Sequence, residues 1–271
     1  MPRLAVLIIV ILYCSVLSAQ NTPKVLTPKE RRGAESYNKG SELFSAGNYA
    51  QSLPLLLAAD SLIGETALVD RLKLSYALGI CYLKTNKPSP ALQYFEWVAE
   101  KDSSYPYIYL QAAESAREAK NRDKAIKYYQ KSLVKVKEEQ KPIILKNISE
   151  LLMQSKDYEG ALNACNQAIK KSSKPNYYLL RGQIYDALAE KIDHAGEKDF
   201  NSDDAIKEGT LTEEKMLQAI ELRQKALDDY TTAAEDSEIA RDANKFVERS
   251  RAIIKNDQEM ISDIRYLKEN P

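Results

Sequence analysis

The residues that could do chemistry are thinly spread along this chain. Its one histidine, His194, has no cysteine or serine beside it in a recognisable nucleophile context, so no base–nucleophile pair is in place. Cysteines stand far apart at Cys14, Cys81 and Cys165, and with a single histidine they fall short of a tetrahedral zinc site. Asp199, Asn201 and Asp203 alternate as calcium-loop ligands do. The loop's sixth position, which needs glycine, is Asp204, and its twelfth, which needs glutamate, is Thr210, so the segment reads as a solvated, helix-capping tip. Nine scattered glycines make no phosphate loop. Asn147-Ile148-Ser149 matches a glycosylation acceptor but lies inside a helical pattern. The expectation is no catalysis, no cofactor and no metal.

Composition points to an all-helical chain. Hydrophobic residues make up 44% of the 271, enough for a buried core, while glycine and proline are scarce and β-branched runs few. Tyrosine outnumbers phenylalanine 17 to 4, which suits half-buried positions with one wet end. With 39 basic and 39 acidic residues the chain lacks the excess that a nucleic-acid binder uses to displace counterions. The basic run "KSLVKVKEEQKPIILK" is broken by glutamates and apolar residues and reads as solvated helix faces.

The first residues stand apart. Arg3 precedes an apolar run from Leu4 to Leu17 and then "LSAQ", a run too short for the ~18–20 residues of a membrane span. The pattern predicts a secretory signal over 1–19, cleaved after Ala19, with residues 20–32 as a flexible leader. The alternatives are an uncleaved anchor and lipid attachment at Cys14, whose preceding "ILY" lacks the small residue of a lipoprotein box. The "LSAQ" ending resembles export signals of Gram-negative envelope proteins, which places the mature chain in the periplasm or beyond it.

The main body repeats itself. Small residues that open a second helix recur at Ser52, Ala91, Ala125 and Ala161, at intervals of 39, 34 and 36. Around them lie Gly40, Leu43, Gly47, Tyr49 and Leu56, and then Leu78, Gly79, Tyr82 and Phe95. Tyr109, Ala113, Ala116 and Tyr129 follow, and after them Ile148, Ser149, Leu152, Tyr158, Cys165 and Ala168. Tyr178, Gly182 and Tyr185 begin a fifth copy, completed by Ala226, Tyr230 and Ala233 after a long insertion. This grammar resembles the tetratricopeptide repeat, a helix–turn–helix unit of ~34 residues. Small residues at a helix crossing let the axes approach to ~8–10 Å, and stacked neighbours bury the apolar stripes.

The resemblance implies an all-α, right-handed solenoid of about five helix–turn–helix units. They fall near 33–70, 71–104, 105–140, 141–174 and 175–235, with an insertion at 191–215 and a capping helix over 237–269 whose Phe246, Ile253 and Ile254 pack inward. The insertion is expected to be an irregular polar tip between two lengthened helices. Two units separate Cys81 from Cys165, beyond the ~7 Å a disulfide allows, so two buried, inert thiols are expected.

In the family, first helices line a concave groove. Its counterparts here would be Tyr37, Asn38, Ser41, Lys73, Tyr76, Ile80, Tyr107, Leu110, Gln111, Glu114, Lys146, Asn147, Glu150, Leu179 and Gln183. Tyrosines and aliphatics interleave there with amides and charges, as binding surfaces require. The carboxylate clamp of some relatives is missing, since Tyr37 and Ser41 occupy its positions in the first unit. The function implied is a non-catalytic protein-interaction scaffold in a bacterial envelope, holding a peptide or protein segment. The alternatives are a subunit of an outer-membrane assembly or secretion machine and, less favoured with one tryptophan, a glycan-binding protein.

Overall fold

The computed structural model describes residues 25–193, 202–208 and 211–269. The expected signal segment 1–19, His194, Asp199, Asn201 and Thr210 lie outside the described residues. Among those described there is no strand. The chain divides into two compact units, Met1–Asp102 and Ser103–Pro271.

Unit 1 holds two helical hairpins, α1 (Pro28–Ser45) with α2 (Tyr49–Ile63) and α3 (Arg71–Lys84) with α4 (Pro88–Lys101), and α2 packs on α3. In unit 2, α5 (Ile108–Glu118) pairs with α6 (Arg122–Leu133), and a 3-10 turn (Glu138–Gln140) leads into α7 (Lys141–Gln154), which pairs with α8 (Tyr158–Lys171). The fifth hairpin joins α9 (Pro175–Asp193) to α11 (Glu213–Ala233), and the short α10 (Ser202–Lys207) lies between them in sequence. The last helix, α12 (Ala240–Glu269), packs on α11.

Helix α1 begins at Pro28, inside the segment expected as a leader. Thr27 accepts a hydrogen bond from the Glu30 amide at 3.1 Å while the Glu30 carboxylate accepts one from the Thr27 amide at 2.8 Å. That capping box with Pro at the first helical turn starts the helix early.

The first four hairpins turn in the same way. Gly47, Asn86, Lys120 and Lys156 each take a positive φ, between 58° and 77°, five residues before the small crossing residue of their repeat. The next amide then bonds back five residues, Asn48 to Leu43, Lys87 to Tyr82, Asn121 to Ala116 and Asp157 to Leu152, at 2.8–3.0 Å. These are Schellman ends, which satisfy the last carbonyls of the first helix. Only Gly47 enters the left-handed region without a Cβ penalty; the lysines and asparagine bear ~1–2 kcal/mol each.

Between paired helices a small residue faces a large one sixteen residues on. A Cβ on Gly40 would meet Leu56 at 2.9 Å, and one on Gly79 would meet Phe95 at 2.6 Å. The same offset relates Ala113 to Tyr129 and Ser149 to Cys165, all buried. In the fifth hairpin Gly182 faces the Tyr230 ring, at 2.5 Å for an added Cβ. Ala91, Ala125, Ala161 and Ala226 are fully buried at the crossings. Ser52 donates to the Gly40 carbonyl at 2.8 Å, and Ser149 donates to the Ala161 carbonyl at 2.7 Å, the same bond with its direction reversed.

The insertion departs from the expected polar tip. Ala205 and Leu211 are buried with Met216, Ile261 and Ile264, so this end carries a small apolar core of its own. Helix α12 turns Ala243, Val247, Ser250, Ile254, Asp257, Ile261 and Ile264 inward, a 3.5-residue seam of the coiled-coil kind. Phe246 stacks on Tyr230 at 5.0 Å, and Ile253 is half-buried. Arg223 of α11, 1% exposed, meets Asp193 of α9 and Asp257 of α12 at 2.5 Å each, a buried triad that ties three helices together.

Cys81 and Cys165 are both buried and free. Burial pushes the Cys165 thiol up to about 12 and raises that of Cys81. Both thiols should react with a disulfide reagent only in denaturant; fast labelling of the native protein would contradict this packing. Replacing Lys156 by Gly should stabilise the chain by up to ~1 kcal/mol, because it relieves a left-handed residue in an intact Schellman end. A lowered urea midpoint for K156G would contradict that.

Candidate functional site

The candidate surface is the outward row of the first helices, taken within each unit. In unit 1 the row is lightly charged. Asn38 is exposed, Ser41 half-buried, and Tyr37 packs against the core with only part of its ring free. Tyr76 leans edge-on against Phe95, ring centroids 5.7 Å apart, so its ring is partly spent on the hairpin's own packing. Lys73 pairs with Asp70 at 3.4 Å, while the other Asp70 oxygen caps α3 by accepting from the Lys73 amide at 3.1 Å. Ile80 is half-buried.

In unit 2 the row is wired together. The Tyr129 hydroxyl, carried on α6, donates to Glu114 of α5 at 2.6 Å and accepts from the Asn147 side-chain amide of α7 at 3.3 Å. Glu114 also holds Arg117 at 2.7 Å, one turn along α5. On α7, Lys146 pairs with Glu150 at 2.5 Å. Burial and then the Glu114 carboxylate push the Tyr129 phenol well above its usual range, so it stays a donor. One buried ring thus fixes a carboxylate and an amide on neighbouring first helices, and Gln111 lies half-buried beside them.

Three expected members, Tyr107, Leu110 and Leu179, lie elsewhere. Tyr107 is not on a helix: it precedes α5 in a left-handed conformation with φ 56° and is 45% exposed. It shares a cleft at the start of α5 with Leu110. Leu179 packs with Tyr230, Val247 and Phe246, so it serves the core more than the face, and Gln183 is half-buried.

The fifth hairpin repeats the tyrosine–carboxylate bond, which the spacing of small residues alone does not reveal. Tyr230 donates to Asp186 at 2.7 Å. A buried phenol needs a partner, and the carboxylate one helix away supplies it. Arg181 grips Asp229 through two bonds of 2.7 Å, donates to Asn166 at 2.9 Å and lies 5.4 Å from the Tyr178 ring. Within this net the charged groups are already paired, so the face offers amides, hydroxyls and fixed dipoles more than free charge.

Among the described residues no group of three or more His, Cys, Asp or Glu side chains comes together to hold a metal ion, and no helix is long and apolar enough to cross a membrane.

Burial raises the Asp186 carboxyl, opposed by the Tyr230 hydrogen bond and by Arg249 and Arg223. A carboxyl raised on folding stabilises the fold below its unfolded pKa, and loses that contribution as pH rises through the folded value. Asp186→Asn cannot titrate, so wild type should gain stability relative to D186N as pH falls from 7 towards ~4. Urea midpoints at several pH values check this; a pH-independent difference would remove the burial effect.

A family profile described as the RNPP family C-terminal domain matches residues 106–210. No curated protein matches the sequence. Among solved structures, MamA AMB-1 superposes with a TM-score of 0.52 at 15% identity, covering 77% of this chain and 96% of that one. A second MamA structure gives 0.51 at 12%, covering 76% and 96%. A TPR repeats protein from Bacteroides fragilis gives 0.42 at 18%, covering 82% and 98%. With small residues at each crossing, a large one sixteen residues on in the first three hairpins and the MamA superpositions, the chain has the fold of the tetratricopeptide-repeat proteins.

Proposed function

We propose that this chain is an exported, non-catalytic adaptor of the bacterial envelope that holds a peptide or protein segment against its first-helix faces. The fold is consistent with a protein-interaction scaffold. The observation that carries the finer reading is the Tyr129 bridge, which locks Glu114 and Asn147 into one orientation across two helices. Pre-orienting polar groups lowers the ordering cost of binding, and an apolar core would need no such device. An extended segment laid across α5 and α7 would meet Gln111, Asn147 and the Lys146–Glu150 pair, with its own backbone amides as partners.

Export rests on Arg3, the apolar run Leu4–Leu17 and the "LSAQ" that follows.

A photo-crosslinking residue placed at Gln111 or Gln183 should give protein adducts in envelope fractions of intact cells, while one at the exposed Lys127 of α6 should give none. N-terminal sequencing of the recovered chain should begin at Gln20. Equal adducts from all three positions would remove the face assignment, and recovery of an unprocessed chain from the cytosol would remove export.

A further inference from the structure

A second surface of unit 2 lies at the ends of its helices. Segment 132–143, between α6 and the body of α7, forms a ridge with a cleft on either side. One cleft, about 210 Å3, is walled by Tyr105, Tyr107 and Val136. The other, an open cleft of about 630 Å3, is walled by Pro142, Ile143 and Tyr177. Large apolar side chains stay exposed on the same edge: Tyr107 at 45%, Val134 at 85% and Ile143 at 55%. Single exposed apolar residues are ordinary, but three gathered around two clefts mark a contact surface.

Positive charge gathers there too, in a chain that carries none overall. Between 131 and 141 and between 170 and 174 there are seven lysines and only two acidic residues, Glu138 and Glu139. Glu138 is committed to Lys141 and, at 3.0 Å, to Lys171, joining the two turns. Lys131 lies over the Tyr109 ring at 5.2 Å. Among the described residues no carboxylate pairs with the exposed Lys135, Lys137 or Lys174. The basic run that reads from sequence as a solvated helix face is therefore a turn edge with unneutralised cations beside apolar clefts. Like charges held together repel, and a partner of opposite sign relieves that cost while being steered to the site.

We infer that this edge docks an acidic peptide segment, whose carboxylates meet Lys135, Lys137 and Lys174 while apolar side chains enter the clefts on either side of the ridge. Two discrete clefts set apart by a ridge fit alternate side chains of an extended strand. A membrane surface would call for a broad apolar face, and a nucleic acid for a longer basic stripe. This surface is distinct from the Tyr129-wired face, and the two readings can fail separately.

The test is a random displayed-peptide library selected on the immobilised full chain, followed by fluorescence anisotropy with synthetic copies of the enriched peptides. Enriched sequences should be rich in Asp and Glu with interleaved apolar residues, and their binding should weaken with added salt. The double variant Lys135→Glu/Lys174→Glu should weaken them by roughly tenfold or more. Ile143→Ser, at a site already more than half exposed, should weaken them measurably. Lys127→Glu, an exposed charge reversal on α6 away from this edge, should leave them unchanged, and circular dichroism should be the same for all variants. Enrichment of neutral or basic peptides, no enrichment, or acidic peptides indifferent to the lysine reversals would overturn the inference. So would stronger binding of phosphatidylserine vesicles or polyuridylate to this edge, or an equal loss of the peptides with Lys127→Glu alone.

Discussion

Everything in this protein depends on how closely two helices can approach where they cross. Gly40, Gly79 and Gly182 have no room for a methyl group, because Leu56, Phe95 and Tyr230 already fill the space. That contact fixes the distance and rotation of each pair, and so decides which residues turn outward. Interiors packed to this density do not deform smoothly, so a misplaced crossing would be felt along the unit. The exposed rows follow from the buried ones.

The tyrosines link packing to function. Tyr129 and Tyr230 occupy the bulky slot opposite a small residue, as Phe95 does, but each carries a hydroxyl past the crossing to a carboxylate on the first helix. Phenylalanine would fill the space and leave Glu114 and Asp186 to choose their own rotamers. Tyrosine fills it and also sets the direction of a polar group on the face, at the cost of a phenol that must stay protonated. The third and fifth hairpins thus carry their polar geometry in the core, and the second, with Phe95, does not.

The periodic part of this design was legible in the sequence. The intervals between Ser52, Ala91, Ala125 and Ala161 placed the hairpins, and their burial follows from the same spacing. The turns were less legible, because Asn86, Lys120 and Lys156 adopt a backbone conformation that residue type suggests only for glycine; the helix on either side dictates it. The insertion was misread because Ala205 and Leu211 are isolated apolar residues in a polar stretch, and their partners Ile261 and Ile264 lie far along the chain. On the candidate face, register put Glu114, Lys146, Asn147 and Glu150 on first helices, and the same register misplaced Tyr107, which sits ahead of α5, where register no longer applies. The lysine-rich edge reads from sequence only as solvated helix faces for a related reason. Its residues come from two turns more than thirty positions apart, and only folding sets them side by side.

The seam of α12 has a consequence for how such a molecule can grow. A further hairpin added by gene duplication would have to settle on α11, but α12 already lies along that helix and is anchored to Arg223 by its buried Asp257. Displacing it would strip Arg223 of one of its two carboxylate partners, and a newcomer with an ordinary alanine-and-tyrosine stripe supplies no acceptor in its place. Unit 2 can therefore lengthen past α11 only by giving up that pair.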